Sequence, residues 1–161
     1  ILRFIVDYYK ALNLLDDYYH KTLEKVKGNI DERKIKYDDC IHVINQLRFN
    51  SESSVFAIER NRGLEAIIGN IYQSFGGQDI YKSIEEKGAN FLYLIVKNHV
   101  FVDGNKRTGL AVMLTYLEIQ GVTIQEHTGL DDFMVDIVES QEDHELLAKL
   151  VAGFLYELSI I

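Results

Sequence analysis

The stretch "NHVFVDGNKRTGL", residues 98–110, gathers a histidine, a carboxylate, an Asp-Gly turn, an amide and two cations within thirteen residues. Apolar sequence of helical period flanks it: "GANFLYLIVK" before and "LAVMLTYLEI" after. Polarity of that density between two buried helices is a local conflict, and such conflicts mark functional sites. Asp103-Gly104 is a turn signal, and the residues after it begin a helix. A helix start leaves backbone N–H groups free and carries about half a positive charge.

Gly104 has no side chain, so an anion can approach the main chain closely. Asn105, Lys106 and Arg107 add donors at the same end, which describes a phosphate site. Cations at a helix N-terminus oppose the dipole, so "NKR" there costs stability unless an anion offsets it. Asp103 adds an oxygen ligand, and Mg²⁺ usually takes one or two carboxylates plus substrate phosphates and water. His99, four residues earlier, can accept a proton near neutral pH. Base, metal carboxylate and phosphate cradle are the parts of a phosphoryl or nucleotidyl transferase. Phe101 reads as the core anchor between them. Taken singly, His99 reads more readily as a helix cap or core histidine than as a base, and Lys106 and Arg107 read equally well as a solvated helix start. His99 and Asp103 lack the Cys or second His of a zinc set. His20, His42, His127 and His144 have no partner pattern.

The chain has 161 residues, 47% of them apolar, which fits one globular domain. Its net charge of −8 argues against broad DNA or RNA binding, though not against one nucleotide in a locally positive pocket. "FLYLIVKNHVF" is too short and too polar to span a bilayer, so no membrane is expected. "ILRFIVDYYK" does not read as a signal peptide. The first residue is not Met, which is compatible with a piece of something longer. The single cysteine, Cys40, fits a reducing compartment, so a cytoplasmic protein is expected. There is no proline, which permits long helices.

Apolar residues at three- and four-residue steps predict a helix over 1–27 and another over 31–49, with Ile35, Cys40, Ile41, Ile44 and Leu47 inward. Residues 50–62 are polar around a short apolar centre, "VFAI", and read as a loop or small hairpin. A third helix is predicted over 63–74, ended by Gly76-Gly77. A fourth, capped by Asp79, should run to Asn98 with Ile80, Ile84, Phe91, Leu92 and Ile95 on its face. A fifth covers 105–121 with Leu110, Met113, Leu114 and Leu117 inward. "VTI" is extended. Two more helices follow, over 132–140 and from "EDHELL" onward. The fold class is all-α.

"HVFVDGNKRTGL" resembles the signature of the Fic/Doc (Fido) family, H-x-F-x-D/E-G/A-N-G/K-R. His99, Phe101, Asp103, Gly104, Asn105 and Arg107 match, and Lys106 stands where the Doc-like (death-on-curing) form has lysine. "GLEAIIGNIYQSFGGQDIYKSIEEKGANFLYLIVKNH" is similar to the segment before the motif in Doc-like proteins. The resemblance implies a Fido-fold helical bundle with a short β-hairpin flap. Residues 1–50 would be an N-terminal helical extension of the same domain and 51–161 the Fido core. It implies transfer of a phosphate-containing group from a Mg-nucleotide to a Ser, Thr or Tyr hydroxyl of a target protein. His99 would be the base, and Asp103 would hold Mg²⁺. Gly104, Asn105, Lys106 and Arg107 would bind the phosphates of ATP. A flap over 54–62 would align the target by strand-like pairing.

Two departures from the Fic form favour Doc-type phosphorylation over AMP transfer. Leu110 stands where the Fic form has a second arginine, and Lys106 replaces a glycine. The inhibitory motif of many Fic proteins needs Ser or Thr where "SSVFAIERN" has Val55, so Glu59 is not read as an inhibitor. Inhibition would then come from a partner such as an antitoxin. The alternatives are AMPylation, a catalytically silent nucleotide-binding module, and a helical interaction protein without a ligand.

Overall fold

The computed structural model describes residues 28–30, 33–124, 130–139 and 144–160. The helix expected over 1–27 lies outside the described residues. The elements in chain order are α1 (Tyr37–Phe49), α2 (Gly63–Ile71), β1 (Ser74–Phe75), β2 (Gln78–Asp79), α3 (Ile84–Lys97), α4 (Asn105–Ile119), β3 (Thr123–Ile124), α5 (Leu130–Glu139), α6 (His144–Leu158) and β4 (Ser159–Ile160). β1 and β2 form one antiparallel hairpin, and β3 pairs with β4 in another small ladder. No helix among the described residues is long and apolar enough to cross a membrane.

The bundle is built around α3, which packs on α4 and α6 and also on α2 and α5. Ser83 starts it: the extended residue's Oγ accepts the Glu86 N–H at 3.0 Å, a cap that contributes about 1 kcal/mol. Glu85 and Glu86 in the first turn suit the helix dipole. Ala89, Phe91, Leu92 and Ile95 are fully buried. Three polar residues of α3 are buried too, each with a partner, as burial requires. Glu85 accepts the Asn29 N–H at 2.8 Å and the Asn29 carboxamide at 2.7 Å. Lys87 Nζ lies 3.3 Å from Asp79 Oδ2 and so ties the hairpin to the helix. The Asn90 amide donates to the Glu86 carbonyl at 2.8 Å. Close approach of α3 and α4 depends on Gly109, where a Cβ would come within 3.2 Å of Leu92 Cδ1.

Several sequence expectations change. The third predicted helix stops at Ile71, because Gly76-Gly77 is the turn of a hairpin rather than a helix end. Both glycines have positive φ, +61° and +79°, as tight hairpin turns demand. The hairpin is therefore at 74–79 and not at 54–62. Asp79 is a strand residue paired to Lys87, and Ser83 takes the capping role assigned to it. Ile80 precedes the helix and is exposed. Leu114 is exposed as well, because α4 turns Thr108, Gly109, Val112, Met113, Tyr116 and Leu117 inward instead. The second predicted helix begins at Tyr37 rather than near residue 31.

Cys40 faces the core from α1 and is fully buried. Burial pushes its thiol up from 9.0 to about 12. Between those values the unfolded chain gives up a proton that the folded chain keeps. The contribution is intact below pH 9 and declines as pH rises toward 12. Thermal melts of wild type should lose stability from pH 9 to pH 10 more steeply than melts of Cys40→Ala. Equal slopes would contradict the buried thiol.

Candidate active site

α3 ends at Lys97, with Asn98 as its C-cap. His99 then takes a left-handed conformation, φ +48°, a region that non-glycine residues visit seldom. That turn separates inward from outward side chains. Val100 and Phe101 are buried, while His99, Val102 and Asp103 are exposed. Gly104, φ +83°, is the N-cap of α4, so Asn105, Lys106 and Arg107 form its first turn. The polar loop thus joins the end of one core helix to the open start of the next.

The loop is clamped along its length by segment 56–60. The Arg60 N–H donates to the Val100 carbonyl at 2.8 Å. The Val102 N–H donates to the Ile58 carbonyl at 2.8 Å, and the Ala57 N–H to the Asp103 carbonyl at 2.9 Å. Segment 54–62 therefore forms no hairpin of its own, and this stretch of its backbone is already paired with the motif.

Asn105 also has a different task from the one expected. Its Oδ1 accepts the Phe101 N–H at 2.8 Å, and its Nδ2 donates to the Phe101 carbonyl at 2.9 Å. The carboxamide staples the loop; what it leaves for an anion is the backbone N–H. Lys106 Nζ lies 3.3 Å from Glu139 on α5, and the Arg107 guanidinium sits 4.9 Å from the centre of the Phe56 ring. The strain expected of two cations at a helix start is thus partly relieved within the chain. Arg107 makes no hydrogen bond or ion pair to a described residue, so its donors stay available.

His99 opens onto a cleft of about 400 Å³ whose lining includes Arg60, Asn61, Asn70, Leu94 and Asn98. Its ring makes no hydrogen bond to a described residue, and neither does the Asp103 carboxylate. No group of three or more His, Cys, Asp or Glu converges as a metal cage among the described residues. One exposed carboxylate beside a helix start fits Mg²⁺ that draws its other ligands from phosphates and water. Leu110, at the position of the missing arginine, packs against the core.

The sequence profile of the Fic/DOC family matches residues 12–117 of the chain. A curated relative, Toxin Doc of Mycolicibacterium smegmatis, is 33% identical over 94 residues, covering 56% of this chain and 72% of that protein. The chain belongs to the Fic/Doc family. Its fold is the Fido fold, and its chemistry class is that of a Fido-type transferase. No solved structure matches it.

For a Fic/Doc protein, the motif was the visible part of this site and its supports were not. Phe56, Glu59, Arg60 and Glu139 are brought to the motif from elsewhere in the chain. Phe56, Glu59 and Arg60 left a signal only as members of the segment 54–62 that the resemblance places as a flap, and Glu139 left none. Glu59 does not reach toward the helix tip: its carboxylate takes the Tyr37 hydroxyl at 2.6 Å and the Leu64 N–H at 3.3 Å.

Proposed function

We propose that this Fic/Doc protein transfers the γ-phosphate of ATP to a Ser or Thr hydroxyl of a protein, as a Doc-type kinase. The observation that carries the reading is an exposed His99 held on the same clamped loop as the open N-terminus of α4. The target side chain would enter by the cleft beside His99, and His99 would take the proton of its hydroxyl. The hydroxyl oxygen bonds to the γ-phosphorus as the bond to the leaving ADP breaks, and the proton stays on the imidazole. Backbone N–H groups of Asn105 and Lys106 and the Arg107 guanidinium would hold the phosphates. Asp103 would hold Mg²⁺, which supplies charge neutralisation when bound. Core-packed Leu110 supports γ-phosphate over AMP transfer, since the position offers no second cation for a triphosphate. The name of the relative supports a toxin role, with an antitoxin as partner.

Purified protein incubated with lysate and ATP labelled in the γ or the α position tests this. Label from the γ position supports the kinase. Label from the α position replaces it with AMPylation. Tight nucleotide binding in calorimetry without transfer of either label would favour a silent binding module.

A further inference from the structure

We propose that Glu59 is a positioning residue for His99, holding the histidine end of the motif loop by anchoring the segment that grips it. The inference rests on His99 being the base. One carboxylate joins three elements here: Tyr37 begins α1, Leu64 lies in the first turn of α2, and Glu59 faces Phe101 across an isolated bridge. Next to it, the Arg60 N–H holds the carbonyl of Val100, the residue that follows His99.

The segment needs such an anchor. Ala57, Asn61 and Arg62 are left-handed, φ +56°, +48° and +56°, so it is not a regular strand that a ladder of its own could hold. With His99, these are all the non-glycine residues of positive φ among the described residues. From Ala57 to Asn61, Glu59 has the only side chain that hydrogen-bonds to another described residue. Tyr37 is a durable donor: the bond to Glu59, ahead of burial, pushes its phenol up to about 12.

The two ends of the loop are held differently. Gly104 to Arg107 are fixed by α4 itself, by the Asn105 staple and by the Ala57–Asp103 bond. His99 depends on the Arg60–Val100 bond and on the end of α3. Loosening Glu59 should therefore displace the base more than the phosphate cradle, which α4 and the Asn105 staple hold independently of the segment. A displacement near 1 Å costs on the order of a hundredfold in rate.

Transfer kinetics on the full chain test this with Tyr37→Phe, Glu59→Gln, Glu59→Ala and the Tyr37→Phe/Glu59→Ala pair. Glu59→Ala should lower kcat roughly ten- to hundredfold, with KM for ATP unchanged. Glu59→Gln, which keeps an acceptor oxygen, should recover most of that loss. The pair should be no slower than Glu59→Ala alone, since both changes cut one network. The rate at which diethyl pyrocarbonate modifies His99 should change in Glu59→Ala. If that variant does not fold, Tyr37→Phe at a partly exposed position carries the test, with a smaller drop in kcat alone. Wild-type kcat in a folded Glu59→Ala, or a loss seen only in KM or melting temperature, would overturn the assignment. Absence of transfer by the wild type would instead remove the base reading, and this inference with it.

Discussion

Asparagine in place of His99 removes transfer and leaves the fold as stable as wild type. Loss of a positioned base lowers rates by about 10²- to 10⁴-fold, which puts the variant near background labelling. The fold should not notice. His99 is exposed, and asparagine adopts a left-handed backbone at least as readily as histidine. Alanine is the harsher control for stability. At φ +48° it carries the usual penalty of a Cβ there, roughly 1 kcal/mol, and has no polar group to offset it. Glycine relieves that strain but gives back a similar amount in chain entropy. The melting order Asn and Gly near wild type, then Ala, combined with equal loss of transfer in all three, separates a catalytic histidine from a helix cap. Wild-type labelling by His99→Asn would end the base assignment.

Alanine at Gly104 gives the second large effect, on stability and transfer together. A Cβ there would lie 2.3 Å from Phe56 Cε2 and 2.6 Å from Cδ2, against a ring that is itself buried. The backbone is also left-handed, φ +83°. Steric overlap and strain together should cost about 1–3 kcal/mol. The family signature admits alanine at this position, so the prohibition belongs to this chain and comes from Phe56. The ring must move or the loop must rise, and either shift disturbs Arg107, which rests on that ring. Phe56→Leu added to Gly104→Ala should restore part of the stability by removing the overlap, while the dihedral strain remains. Thermal melts and labelled transfer on the two variants check both halves. A Gly104→Ala protein with wild-type melting and activity would show that the loop and the ring are not in contact.

The helices around the motif were legible because α3 and α4 carry long, strongly periodic apolar faces, and periodicity is the most reliable local signal. Leu92, Ile95, Met113 and Leu117 are all buried as their spacing implied. The hairpin was misplaced because a Gly-Gly pair after a helix reads equally well as a stop or a turn. Only pairing of Ser74 with Asp79 decides it. The carboxamide bonds of Asn105 to Phe101 were hidden for a related reason. A motif shows which side chains are present, not which backbone atoms they are already bonded to. Glu139 was out of reach altogether, since nothing local links the last residue of α5 to Lys106.

The motif loop is gripped by main-chain atoms of Ala57, Ile58 and Arg60 rather than by their side chains. A handrail of that kind is blind to the alphabet written on it. The exposed letters at Ile58 and Arg60 can drift among descendants as long as Arg60 does not become proline, which would delete its N–H, whereas buried, left-handed Ala57 and hydrogen-bonded Glu59 are held. Comparing relatives letter by letter would then rank Ile58 and Arg60 among the least informative positions of the domain, although the motif leans on their main chain.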